Sequence, residues 1–83
     1  MTVTVHVPPI LRKWFKDQEE IQVSGSTIGE CLQNMIDEYP GLEIRLKTMV
    51  ISLNGEVVQL VHYSRKEIRE GDKISLIPRM SGG

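Results

Sequence analysis

The residues best suited to chemistry in this sequence are the last two, Gly82 and Gly83. Two terminal glycines present a carboxylate with no β-carbon beside it. They follow Pro78, which has no N–H to donate to a neighbouring strand, so we expect the chain to leave the folded body there. One interpretation of such an end is an ordinary frayed terminus. The other is that the Gly83 carboxylate is the working group and that the preceding residues fold to carry it.

The chemistry open to this carboxylate is acyl transfer after activation. A carboxylate is a poor acyl donor because its leaving group would be oxide. A partner enzyme can use ATP to convert it into an acyl adenylate, whose carbonyl then accepts sulfur or another nucleophile. A β-carbon near the reacting carbon would crowd the narrow entrance to the partner enzyme's pocket. Gly82 and Gly83 have no β-carbon. Gly82 is therefore expected to give access and Gly83 to react.

Other kinds of site lack the residues they need. A metal site requires His, Cys and carboxylates at ligand spacing, whereas His6, Cys31 and His62 lie far apart in the sequence. No Ser or Cys occupies a recognisable nucleophile elbow, and no glycine-rich phosphate loop precedes a helix. We expect Cys31 to be a packing thiol. The sequence therefore predicts no metal site, no cofactor bound by this chain and no catalytic residue of its own.

The composition excludes several classes of partner. A chain of 83 residues makes one domain that is too small for a deep cleft between lobes. Ten Lys and Arg against eleven Asp and Glu give a net charge of −1, which does not favour nucleic acid or an anionic membrane. No apolar run approaches the length of a membrane span, and the first residues show no hydrophobic signal core. We expect a cytoplasmic protein that is monomeric when free.

The first half of the chain is predicted to form two strands and a helix. Residues 2–7 and 20–23 alternate polar and apolar side chains, so we expect two paired strands. Between them, residues 10–15 are predicted to be a loop or a single turn. Thr27 and Glu30 fit a capping box, with each side chain accepting from the other's backbone N–H. The helix that starts there has one apolar stripe and ends before the Pro-Gly pair at 40–41; the stripe consists of Ile28, Leu32, Met35, Ile36 and Tyr39.

The second half is predicted to contain three more strands. Residues 42–47 show no clear period and are interpreted as a turn and short linker. Residues 49–53 form a strand, and Asn54-Gly55 predicts a type I′ hairpin into residues 56–58. Residues 59–68 give no clear prediction. A turn at 70–72 precedes the final strand at 73–77, in which Ile77 is an apolar residue in the polar phase.

Several of these segments match a known family in order and in type. The chain resembles the ubiquitin-like β-grasp sulfur carriers of the MoaD/ThiS family, in particular its MoaD-like branch. The matching segments are Val-Pro-Pro-Ile-Leu-Arg at 7–12, Ser-Thr-Ile at 26–28, Tyr-Pro-Gly-Leu at 39–42, Leu-Asn-Gly-Glu-Val-Val at 53–58, Glu-Gly-Asp-Lys-Ile-Ser-Leu-Ile-Pro at 70–78 and Ser-Gly-Gly at 81–83.

The resemblance implies a fold class and a chain organisation. The fold is α+β, a ubiquitin-like β-grasp with a mixed sheet of four to five strands packed on one main helix. Residues 1–78 would form this domain and residues 79–83 a flexible C-terminal tail. The first and last strands would be neighbours, so His6 would lie near Ile77. We then expect an apolar docking patch beside the tail, formed by Ile77 and Met80 with Arg79 and His6.

The resemblance also implies a function. A ThiF/MoeB-like adenylating enzyme would activate Gly83 with ATP and Mg²⁺, a sulfur donor would convert it to a thiocarboxylate, and a second enzyme would take the sulfur. The first segment is most similar to carriers for cysteine or a related amino acid, followed by molybdopterin carriers and then by carriers for the thiamine thiazole. Two alternatives stay open, a ubiquitin-like modifier joined to lysines and an interaction module without tail chemistry.

Overall fold

Five strands form one mixed sheet in residues 2–78, the part of the chain that this computed structural model describes. The spatial order is β2-β1-β5-β3-β4. The strands are β1 (Thr2–His6), β2 (Glu20–Ser24), β3 (Met49–Leu53), β4 (Glu56–Val58) and β5 (Lys73–Pro78). The predicted flexible tail, residues 79–83, lies outside the described residues.

The last strand occupies the middle of the sheet. β5 runs parallel to β1 on one side and antiparallel to β3 on the other. β2 and β4 are the two edges, paired antiparallel with β1 and β3 respectively. Asn54 and Gly55 both have positive φ (52° and 90°), as a type I′ turn requires, so the predicted hairpin between β3 and β4 is confirmed. The predicted pairing of the first strand with the second and with the last is also confirmed.

The main helix, α1 (Ile28–Glu38), covers one face of the sheet. The Thr27 hydroxyl oxygen accepts from the backbone N–H of Glu30 at 3.1 Å, as the capping box predicts. The predicted reciprocal bond from Thr27 N–H is wrong, because the Glu30 carboxylate accepts from Ser26 N–H at 2.8 Å. Ser26 also brings its hydroxyl within 3.3 Å of the same oxygen, so it offers this carboxylate two donors.

Two segments are more helical than the sequence analysis expected. The prediction of a turn and linker at 42–47 is wrong, since α2 (Leu42–Leu46) is a short helix. Leu42 and Leu46 are both buried, and residues four apart lie on the same face of an α-helix. The predicted loop or single turn at 10–15 is part of a 3₁₀ helix, Pro9–Phe15, in which Leu11 and Phe15 are buried. The segment 59–68 contains a 3₁₀ turn, Leu60–His62.

A single core lies between the helices and the inner face of the sheet. Trp14 is partly buried and packs over Gly41, where a β-carbon would come within 2.7 Å of the ring. Phe15 meets Tyr39 edge to face with ring centroids 5.0 Å apart. Cys31 is fully buried, and loss of hydration raises the pKa of its thiol to about 11. The thiol therefore stays protonated at neutral pH, in agreement with a packing role.

Within residues 2–78, every helix is too short or too polar to span a bilayer.

Candidate functional site

The candidate site lies where β5 ends, because this strand leads to the residues that the sequence analysis selected for chemistry. Pro78 is the last residue of the strand and lies opposite Met49 of β3. Gly82 and Gly83, the predicted reactive pair, lie outside the described residues, as do Arg79 and Met80 of the predicted docking patch. What the structure provides is the surface that surrounds the departure point.

The side of β5 that faces away from the helices carries Ile77. Ile74 and Leu76 are buried in the core, whereas Ile77 keeps 42% of its surface exposed. Strand residues alternate between faces, so Lys73, Ser75 and Ile77 share the outer face of the sheet. The expectation that Ile77 lies outside the core is confirmed, and its docking role stays a prediction.

Two valines from the neighbouring strands extend this apolar surface. Val50 of β3 lies directly opposite Ile77, and Val57 of β4 lies opposite Ser52, which places it diagonal to Val50. Val57 is 64% exposed. We call Val50, Val57 and Ile77 the outer-face patch. Neither valine was predicted from the sequence as part of the patch. The available signal was Ser52, a polar residue in the same phase as Val50, but the other four residues of β3 are all apolar and hide that phase.

His6 also lies on the outer face, one row away from Ile77. It pairs with Ser75 of β5 and with Glu20 of β2. Glu20 and Lys73 form an ion pair across this part of the sheet, with 2.7 Å between Nζ and Oε2. The hydrogen bond from Lys73 lowers the pKa of the Glu20 carboxyl. The outer face is therefore divided into a charged half and the apolar outer-face patch, with His6 diagonal to Ile77.

A hydrogen-bond network fixes the start of β5. Asn54 Oδ1 accepts from Lys73 N–H at 2.9 Å, and Asn54 Nδ2 donates to Asp72 Oδ1 at 3.1 Å. The other Asp72 oxygen accepts from Arg69 N–H at 2.8 Å. The hydrogen bond from Arg69 N–H, and after it the one from Asn54, lowers the pKa of the Asp72 carboxyl. The hairpin tip is thus tied to the turn before β5, which fixes the register of the strand that leads to the C-terminus.

Within residues 2–78, no three His, Cys, Asp or Glu side chains are grouped closely enough to hold a metal ion.

Comparison with known proteins identifies the family. The sequence profile of the ThiS family matches residues 5–83. The sulfur carrier protein CysO of Mycobacterium tuberculosis is 29% identical over 93 aligned positions that span all of both chains. The molybdopterin synthase sulfur carrier subunit of Chlamydomonas reinhardtii is 32% identical over 59 positions, covering 71% of this chain and 69% of its own.

Solved structures agree with the sequence comparisons. A chain in the crystal structure of the Amycolatopsis orientalis BexX/CysO complex superimposes with a TM-score of 0.81 at 25% identity, over 98% of this chain and 99% of that one. The predicted α+β β-grasp fold, with one mixed sheet packed on a main helix, is thereby confirmed. The profile match covers nearly the whole sequence and reaches Gly83. The chain therefore belongs to the ThiS family.

Proposed function

We propose that this chain is a sulfur carrier whose Gly83 carboxylate is adenylated by a ThiF/MoeB-like partner and then converted to a thiocarboxylate. The observation that carries the proposal is the ThiS-family match, which extends through Gly82 and Gly83. Its sequence relatives named above are sulfur carriers. In the first step a Gly83 oxygen attacks the α-phosphorus of MgATP and displaces pyrophosphate. In the second, a sulfur nucleophile attacks the acyl carbon and displaces AMP.

Under this proposal the folded domain supplies recognition and no catalytic group. The outer-face patch lies beside the end of β5, so a partner that covers it is positioned to receive the residues that follow Pro78. Apolar side chains exposed together are typical of protein–protein contact sites. We propose that the patch, together with His6, Arg79 and Met80, docks the activating enzyme. ATP and Mg²⁺ bind to that enzyme and not to this chain.

The sulfur acceptor is proposed from the relatives. The match to CysO spans the whole chain, which favours a pathway to cysteine or a related amino acid. The match to the molybdopterin synthase subunit is shorter and makes molybdopterin the second candidate. Reconstitution with each purified downstream enzyme in turn distinguishes the two, because only the true acceptor system consumes the thiocarboxylate.

Intact-protein mass spectrometry tests the proposed chemistry. The protein is incubated with a ThiF/MoeB-like enzyme, MgATP and sulfide. We expect its mass to rise by the difference between sulfur and oxygen, and we expect no rise in the variant that lacks Gly83. Conjugates to lysine side chains with no sulfur gain would favour the modifier alternative. If an enzyme shown to adenylate its own carrier leaves this chain unchanged, the proposal is wrong for that partner class.

A further inference from the structure

The edge strand β2 presents backbone groups that pair with nothing in the described chain. Val7 N–H donates to Glu19 C=O at 2.7 Å, one step beyond the β1–β2 register. Bonded pairs in an antiparallel ladder occur at every second residue, so Ile21 and Val23 also direct their backbone groups toward β1. The N–H and C=O groups of the alternate residues, including Gln22, consequently point away from the sheet.

A side-chain contact confirms this direction. Asn34 of α1 donates from Nδ2 to the carbonyl oxygen of Ser24 at 2.7 Å, which requires that carbonyl to face outward. Glu20 and Gln22 precede Ser24 in the same phase. Among the hydrogen bonds of residues 2–78, none engages the backbone N–H or C=O of Glu20 or Gln22 on this side. Such an edge is a template for one more strand.

A groove runs between this edge and α1. Its volume is about 670 Å³, and its apolar lining includes Ile21, Val23, Met35 and Tyr39. Val23 and Met35 are buried, whereas Ile21 of β2 and Tyr39 at the end of α1 are only partly buried and supply the accessible apolar surface. The groove therefore offers apolar contact to one face of an added strand, while the free groups of β2 offer hydrogen bonds to its backbone. These are the two requirements for binding a peptide by strand addition.

The charge of α1 indicates what the added strand carries. This helix contains three acidic residues and no basic one, and its Glu38 lines the groove. The other charged residues of the lining, Lys16 and Glu20, lie outside the helix. We propose that the groove between β2 and α1 binds an extended segment of a partner protein, paired with β2, whose inward side chains are apolar with a basic residue facing α1. This surface is separate from the outer-face patch, so the inference does not rest on the proposed sulfur chemistry.

Two other occupants fit less well. A second copy joined edge to edge through β2 would place its α1 beside the first on the same face of the continuous sheet. Two helices that both carry only acidic charges would then repel each other. Residues 79–83 span at most about 18 Å when extended. Crossing from β5 to a position outside β2 takes three strand spacings, about 14 Å, which leaves too little chain to pair with β2.

A synthetic peptide tests the proposal by NMR. The probe is acetyl-Lys-Thr-Val-Thr-Val-Thr-Lys-amide, in which lysine and valine share one face of an extended chain. In ¹⁵N-labelled full-length protein we expect the amide signals of Glu20 and Gln22 to shift on titration. Methylating the backbone nitrogens on the pairing side should weaken binding roughly tenfold or more, because two backbone hydrogen bonds are lost. Exchanging both lysines for glutamate should also weaken it.

Matched protein variants locate the site. Gln22→Pro removes the outward backbone N–H, whereas Gln22→Thr replaces the same side chain and keeps that N–H. Only the proline variant should fail to bind the peptide. If Gln22→Pro does not fold, the N-methylated peptide decides with the unaltered protein.

Equal affinity for both peptide backbones, no binding at millimolar peptide, or shifts confined to another surface would overturn the proposal. It also fails if sedimentation shows a dimer that Gln22→Pro abolishes. The same holds if deletion of residues 79–83 shifts the Glu20 and Gln22 amides.

Discussion

Replacing Ile77 by alanine tests whether the outer-face patch contacts the activating enzyme. Ile77 exposes 42% of its surface, so docking can bury no more than that fraction. Complete burial of such a side chain contributes roughly 1.5–3 kcal/mol, and 42% of that is about 0.6–1.3 kcal/mol, or a roughly three- to ninefold effect. With the carrier as the varied substrate in ATP–pyrophosphate exchange, we expect kcat/KM to fall by that factor. The kcat should hold, because Ile77 does not touch the reacting atoms.

Aspartate at the same position should have a larger effect, because docking would then bury an unpaired carboxylate. Ile44 provides a matched control, since it is 74% exposed and lies on α2, in the helix layer on the opposite side of the sheet. Ile44→Asp should leave kcat/KM unchanged. Both variants should keep the thermal midpoint of the parent within a few degrees. An Ile77→Asp protein that does not fold would show that Ile77 is a core residue. Equal losses for the two variants, or no loss, would refute the assignment of the patch.

Three further predictions concern the folded domain. Leu32→Ala should lower the free energy of unfolding by about 2–5 kcal/mol in urea titrations, because it truncates a buried leucine; a change near zero would contradict the core assignment. Gly25→Ala should also destabilise, because its β-carbon would lie 2.5 Å from Cys31 Sγ. Cys31→Ala in the same chain should recover part of that loss. The folded-state pKa of Asp72 lies below its ordinary value of 3.8, so its contribution is present above about pH 3.8 and is lost as the pH falls through the folded value. The stability difference between the parent and Asp72→Asn should therefore close on acidification, as measured by urea midpoints from pH 7 to pH 2.5.

Local signals predicted most of the elements. Alternation identified the strands, Thr27 identified the start of α1, and Asn54-Gly55 identified the hairpin turn. Each of these depends on neighbours in the sequence. The failures have a common cause, because Pro9–Phe15 and α2 are too short for a helical period to repeat. Each segment buries two apolar side chains in the core. Helices this short depend on such tertiary contacts rather than on an intrinsic preference for helix.

The sequence predicted one residue of the outer-face patch and not the other two, for a different reason. The exposure of Ile77 follows from the phase of one strand and was predicted. Its neighbours Val50 and Val57 come from other strands, and which strands adjoin β5 is a property of the sheet order. The free edge of β2 depends on the same order. No periodicity within a single strand carries that information.

Because β5 lies in the middle of the sheet, the domain can fold only after the end of the chain has been synthesised. Until residues 73–78 have been made, β2 and β1 on one side and β3 and β4 on the other have no strand to join them. Each half is a two-stranded unit, which is marginal in water by itself. The contacts between β1 and β5 join opposite ends of the sequence, so they form late and at high entropic cost. A truncated product that stops before β5 would therefore present an unfolded chain to proteases rather than a folded domain without its working end. Under the proposed function, this arrangement withholds the recognition surface from partner enzymes until the strand that leads to Gly83 is in place.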